Sequence, residues 1–369
     1  MHLTQREREI LNIIKAQPEI EQSEIASRLH IARASVAVHI SNLQKKGHIL
    51  GRAYLVNESD YVVGIGAANV DIHGRSKKSF IMHDSNPGHM HISCGGVTRN
   101  ISENCARLGS EVKLITALGD DAFAQLIRSS CRAAGVDASR SLVVPGHPSS
   151  TYISLLDEHG EMFVALSDMS VLQRLDMSYL RQCEGLIKGA RLLVLDTGLS
   201  EQLIEDICGQ YGKDLPIFAE PVSTTYAEKL KPCLGSIHTV KPNRQELSVL
   251  SGTEVQSADD VKRACEILIE KGVKRVFVSM GSEGCFYMDC EGNTASRALR
   301  PLEEMANATG AGDAFMAAVV YSFMNKLPLE KTLDFALAAG IAAISSEDTI
   351  NPSMSAGLIE KIIKERSLS

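Results

Sequence analysis

The sequence predicts an α/β protein: a mostly parallel sheet covered by helices on both faces, three αβα layers with a small β lid, preceded by a small all-α domain. Three observations predict it. From residue 61 onward, apolar runs of strand length alternate with helix-patterned stretches, as strand–helix–strand units require. Residues 72–93 and 142–166 interrupt that alternation with polar, Gly-containing, period-two stretches, which read as excursions forming one lid. The first 55 residues carry eight Lys/Arg and five Asp/Glu, a net of +3, while the whole chain of 369 residues is at −7. A small basic head on a large acidic body implies two functions and a boundary, placed between residues 56 and 57.

Composition excludes several classes. Apolar residues make up 44% and charged residues 22%, enough for a sizeable core and too apolar for a disordered chain. No apolar run approaches the roughly 18 residues that span a bilayer. The opening MHLTQREREI lacks the apolar centre of a secretion signal. Nine scattered cysteines without a C-x-x-C pair read as reduced, mostly buried thiols. The expectation is a cytoplasmic protein.

In the head, residues 4–17 place Ile10, Leu11, Ile13 and Ile14 at helical spacing behind Thr4 as N-cap, and Pro18 ends the helix. Residues 23–29 read as a short second helix. Residues 34–46 read as a third, with Val36, Ile40 and Leu43 on one face and Gly47 closing it. Residues 48–56 read as a hairpin turning at Gly51–Arg52. Helix, short helix, helix and hairpin resemble the winged helix-turn-helix domains of bacterial transcription regulators. The resemblance implies a third helix lying in the major groove. Arg33, Ser35, His39, Asn42 and Lys46 are its polar members, and Lys45 and Arg52 are placed to meet phosphates. A purely dimerising helical domain is the competing reading.

In the body, residues 61–66 are a buried strand, and strands are read at 113–119, 191–198, 215–222, 237–243 and 275–281, with a helix over 120–135. Gly64 and Gly66 do not make a dinucleotide fingerprint, since the third glycine of G-x-G-x-x-G is missing, and no G-x-x-x-x-G-K-[ST] loop is present. The phosphate cradle therefore falls to Thr309-Gly310-Ala311-Gly312-Asp313, small residues feeding a long apolar helix. Backbone N–H groups at a helix N-terminus, with its dipole, favour an anion. Asp313 in the first turn is then placed as general base for a hydroxyl. The histidines at 73, 83, 89 and 91 read as polar lid residues.

Asn307-Ala308-Thr309-Gly310-Ala311-Gly312-Asp313 resembles the C-terminal signature of the ribokinase-like (PfkB) family of sugar and nucleoside kinases. Four further motifs follow that family's order, so the resemblance covers residues 61–369. It implies a ribokinase-like sandwich and in-line transfer from ATP with Mg²⁺. Asn69 and Asp71 correspond to residues that hold sugar hydroxyls. Gly95, Gly96, Arg99 and Asn100 resemble the sugar-binding turn. Asn243 and Glu246, one turn apart, resemble the element that orders magnesium and phosphates, with Glu246 acting through water. Ser279, Gly281, Ser282 and Gly284 resemble the turn that holds the nucleotide. Asp313, with the N–H groups of Gly310, Ala311 and Gly312, would be the catalytic centre.

Two positions depart from the pattern. Asn307 stands where many members carry Asp, at a place that with Thr309 and Ser353 helps hold a monovalent cation, potassium. Glu220 stands where an Asp is common. Within the family, Arg99 before Asn100, residues 150–152 followed by 167–175, and residues 220–230 resemble pseudouridine kinases, with Ser150, Thr151, Tyr152 and Asp168 as readers of the base. The resemblance also implies a homodimer. The alternatives are a kinase for inosine, guanosine, cytidine or a sugar, or, in a different class, a transcription regulator whose kinase fold only senses a ligand.

Overall fold

In the computed structural model, residues 3–51, 60–299, 309–346 and 348–366 are described. The head has three helices: α1 (Gln5–Ala16), α2 (Gln22–Leu29) and α3 (Arg33–Lys45). Thr4 caps α1 in a capping box with Glu7, as its position before the apolar stripe requires. Ile10, Ile14, Ile25, Val36, Ile40 and Leu43 close a small separate core. The expected hairpin falls largely outside the described residues. So does the boundary at 56/57.

The body is built on a nine-stranded sheet. Its centre runs Ile217–Glu220, Leu192–Asp196, Tyr61–Ile65, Glu111–Ile115 and Val136–Asp137, all parallel. Thr239–Val240 and Arg275–Ser279 extend it in parallel on the other side. The hairpin Cys285–Asp289 and Thr294–Arg297, which the alternation pattern did not reveal, closes that edge antiparallel. Odd and even residues of one strand enter different cores. Val63 and Ile65 pack with Leu203, Ile204 and Leu247 on one face, whereas Val62 packs with Ile101, Met316 and Ala339 on the other. Period-two projection from buried parallel strands thus generates the three layers.

The lid is a four-stranded sheet in the order Gly88–Gly95, Asn69–Ser76, Thr151–Leu156, Met162–Asp168. Its range corrects the expected one: Leu142–Val143 pairs with Ala117–Leu118 in a separate two-stranded sheet. The head rests on the body by a backbone approach, since a Cβ added to Gly47 would lie 2.3 Å from the Gly185 carbonyl oxygen.

Candidate active site

The C-terminal ends of the parallel strands converge on the N-terminus of helix Ala311–Met324. The Gly310 turn has φ +84°, and a Cβ there would lie 2.1 Å from the Thr349 carbonyl oxygen. Only glycine fits both the backbone and the space. The first intrahelical bond runs from Ala314 N–H to Gly310 O, so the amides of residues 311–313 precede the helical ladder. Gly310→Ala is expected to disrupt this turn, abolishing measurable turnover and lowering the melting temperature by several degrees. Calorimetry beside a turnover assay reads both.

Asp313 sits in that first turn and accepts a hydrogen bond from Asn100 Nδ2 at 2.9 Å. Burial pushes its carboxyl up to about 6, against the opposing pull of the Asn100 hydrogen bond and the Lys241 charge. A base with that value is ionised at neutral pH yet able to take a proton. Asn100 is itself fixed. Its Oδ1 accepts from Arg99 at 2.6 Å, and Arg99 also pairs with Glu103 at 2.7 Å.

The Arg99 side chain, 2% exposed, spends its remaining donors on the Gly95 and Cys94 carbonyls. Expected at the substrate, Arg99 is a buried strut behind Asn100, and Asn100 is aligned on Asp313. Gly96, with φ +98°, turns the chain into helix α4 (Val97–Arg107), which carries Arg99, Asn100 and Glu103.

Asp71 lies on the lid strand Asn69–Ser76, where Asn69 Nδ2 donates to it at 2.6 Å and burial raises its carboxyl. Strand register pairs Asn69 with Gly95, and Asp71 with Ser93 and Tyr152. Asn69, Asp71, Gly95 and Tyr152 are thereby brought together. Asp168 is not among them. It pairs with Thr151, one register position away from Tyr152 and so on the other face, and accepts from the Ser170 amide. The Ser150 hydroxyl is buried without a partner.

Asn243 and Glu246 have a different local basis from the one expected. Asn243 is the N-cap of helix Arg244–Ser251, and Glu246 returns to the Asn243 amide at 2.9 Å, a reciprocal capping box. Asn243 also bridges to Ser279, which brings the Ser279–Gly284 turn alongside. There Gly281 and Ser282 are exposed and Gly284 is buried.

Asn307 lies outside the described residues. Thr309 and Ser353 are exposed, and the Ser353 amide donates to Asn351. In the head, Arg33 and Ser35 are exposed, and His39 and Asn42 are half-buried. Lys46 instead binds Glu7 at 2.8 Å, tying α3 to α1, and Arg52 is outside the described residues.

Two groups that motif reading passed over complete the site. Lys241, buried, pairs with Glu220 Oε1 at 3.2 Å. Burial alone would lower its pKa; the charges of Glu220, Glu246 and Asp313 outweigh that and hold it raised and protonated. Glu220 is pushed up to about 8 by burial, against the Lys241 charge and with Asp313 and Glu246 adding to the rise. One ammonium therefore faces the carboxyls of Glu220, Glu246 and Asp313. The second group, Asp196, straps the floor. It accepts from the amides of Ala67, Thr98 and Gly198 and from the Thr98 hydroxyl. The available signal was a charged residue at the end of three apolar runs, Asp196 and Glu220 as last strand residues and Lys241 just after Thr239–Val240.

Glu220 Oε2 is buried without a partner and lies beside Glu246. Such oxygen donors fit Mg²⁺, a hard cation that keeps part of its hydration. Among the described residues, no helix is long and apolar enough to cross a membrane.

A family model described as pfkB family carbohydrate kinase matches residues 59–356. The chain belongs to this family. As a pfkB member it is an ATP-utilising kinase of the nucleoside and sugar class, transferring a phosphoryl group to a hydroxyl. A winged helix-turn-helix DNA-binding model matches residues 3–49. The uncharacterized sugar kinase YeiI of Escherichia coli is 33% identical, over 96% of this chain and 97% of that one. The pseudouridine kinase of Escherichia coli is 36% identical, over 84% of this chain and 98% of its own. Arabidopsis thaliana ribokinase, solved with ribose and ATP, superposes with a TM-score of 0.72 at 22% identity, covering 83% of this chain and 99% of that one. That likeness establishes the ribokinase-like fold.

Proposed function

We propose that this pfkB kinase phosphorylates the 5′-hydroxyl of pseudouridine, with ATP and Mg²⁺ as co-reactants and a potassium site at Thr309 and Ser353. The observation that carries the nucleoside reading is the 36% identity with a pseudouridine kinase, joined to the pairing of Asp71 and Tyr152 on the lid. Asp71, seated on Asn69, supplies an acceptor for vicinal ribose hydroxyls. Asp313, aligned by Asn100, takes the proton of the attacking hydroxyl. The free amides of residues 311–313 face the charge on the moving phosphoryl group, an electrostatic role set before the substrate arrives. Glu220 and Glu246 would hold Mg²⁺, which would supply charge neutralisation on the phosphates.

Similarity to YeiI extends over 96% of this chain, head included, and supports a second reading, a sugar as acceptor. A comparison of kcat/KM for pseudouridine, uridine, cytidine, inosine, guanosine and ribose separates the two. An alternative acceptor exceeding pseudouridine tenfold would overturn the first reading and leave the kinase intact. Asp71→Ala is expected to raise KM for the preferred acceptor by about 5- to 150-fold, the equivalent of 1–3 kcal/mol for a lost buried partner. An unchanged KM would remove Asp71 from the acceptor site.

The head, with a boundary at 56/57, is proposed to bind DNA through Arg33, Ser35, His39 and Asn42. Duplex affinity is expected to fall steeply and linearly with the logarithm of salt concentration. Arg33→Ala should flatten that slope without altering kinase turnover; a salt-insensitive head would favour a dimerising role. Exposed Met90, Ile92, Val164 and Leu166 on the lid support a homodimer.

A further inference from the structure

The strands that present the active site at their C-terminal ends enclose a second cavity at their N-terminal ends. Its volume is about 300 Å³. Arg191 immediately precedes strand Leu192–Asp196, and Arg275 opens strand Arg275–Ser279. Lys326 follows the last turn of helix Ala311–Met324 and holds φ +54°. These five-residue strands separate the two sites by roughly 13 Å at about 3.3 Å per residue.

The three cations are exposed, and among the described residues none has an ion pair or a side-chain hydrogen bond. No Asp or Glu lines the cavity. Phe218 and Phe323 form an apolar floor, and both guanidinium carbons lie 6.0 Å from the Phe323 ring centroid. Deeper in, the Ser322 hydroxyl also lines the cavity; it is 1% exposed and has no hydrogen-bond partner. His238, stacked on Phe218, is pushed down to about 4, first by burial and then by the charges of Arg275 and Lys274.

Three cations around a concavity that no carboxylate lines describe a receptor for an anion, although Asp289 is the cross-strand partner of Arg275. Two guanidinium forks match phosphate oxygens in a way that single ammonium groups do not. The apolar floor and the unmet hydroxyl call for an organic body attached to that phosphate. The volume is at the low end of ligand pockets, suited to a small metabolite. We propose that this cavity binds a phosphate monoester, its phosphate on Arg191, Arg275 and Lys326 and its hydroxyl-bearing body toward Ser322. Cation–aromatic packing on Phe323 alone would account for the arginines, but not for Lys326 or the orphaned Ser322.

The test is calorimetric titration of the full chain, its catalytic cleft saturated with a non-hydrolysable ATP analogue and the acceptor nucleoside. Ribose 5-phosphate, AMP and inorganic phosphate are the titrants. One equivalent of at least one ester should bind, at least tenfold tighter than inorganic phosphate. The stronger ester identifies a sugar phosphate or a nucleotide as the source. Arg191→Gln with Arg275→Gln should weaken that ester at least tenfold, with kcat/KM unchanged when no ester is added. Lys326→Gln, a single exposed change, provides a second variant with the same expected direction. The proposal fails if neither ester binds, if inorganic phosphate binds equally well, or if binding survives the double substitution. It fails also if a DNA duplex, and no ester, depends on these arginines.

Discussion

Asp313→Asn lowers phosphoryl transfer by at least about a hundredfold, the contribution of a positioned general base, while ATP binding persists. The substitution keeps the size and planarity of the side chain at the helix N-terminus, and the Gly310 turn is untouched. What it removes is the carboxylate that Asn100 aligns. The pH dependence gives an independent check. Because burial places the Asp313 carboxyl at about 6, the wild-type enzyme loses its ionised base as pH falls through that value. Its kcat/KM should therefore rise with pH through about 6 and level off above it. The residual rate of Asp313→Asn should lack this limb. A folded variant with near-normal turnover, or an unchanged acidic limb, would exclude Asp313 as the base.

At pH 8 and above, where Glu220 ionises, Lys241→Met is expected to be the most destabilising single change in the site, by about 3–5 kcal/mol, the cost of stranding a buried charge. Glu220, 5% exposed, would lose the ammonium 3.2 Å away, and Glu246 and Asp313 would face it without a cation. The sign with pH is defined. Glu220 is already raised to about 8, and losing Lys241 raises it further. A carboxyl with a raised pKa binds its proton more tightly in the folded state, so its stability contribution is present at low pH and lost as pH rises. The deficit measured by denaturant unfolding should be larger at pH 8 than at pH 5. Adding Glu220→Gln should recover much of the loss, because the pair is then replaced rather than broken. A deficit below about 1 kcal/mol at pH 8 would mean that water already reaches the pair.

Asp313 would also lose the charge that holds its own value down. The acidic limb of kcat/KM should then move to higher pH in Lys241→Met. That displacement separates an electrostatic role from mere loss of folded protein, which changes amplitude and not midpoint.

Local patterns were legible directly from the residues. Thr4 with Glu7, the Ile10–Ile14 stripe and the turn at Gly310 each depend on neighbours within a few positions, where helix spacing and turn chemistry are decided. Alternating apolar runs likewise predicted the buried strands, and the glycines marked the turn at the N-terminus of helix Ala311–Met324. The family resemblance implied Arg99 at the substrate, and Asn243 and Glu246 at magnesium and phosphates. It could not see that Arg99 donates to Gly95, Cys94, Asn100 and Glu103, or that Asn243 and Glu246 first satisfy each other. A polar side chain at a motif position can serve ligand or backbone, and only its packed partners distinguish the two.

By itself the sequence determined the fold class and the two-part organisation, because these follow from short-range periodicity, and it named the Gly310 turn and Asp313 as candidates for the cradle and the base. Only the tertiary structure decided how the base is tuned. Asn100 and Asp313 lie 213 positions apart and meet through the packing of two helices. Asp196 and Glu220 end two strands and Lys241 follows a third, and their proximity follows from the strand order of the sheet. Burial makes each charge there costly alone, and mutual pairing makes the cluster tolerable. Neither burial nor pairing is a property of adjacent residues.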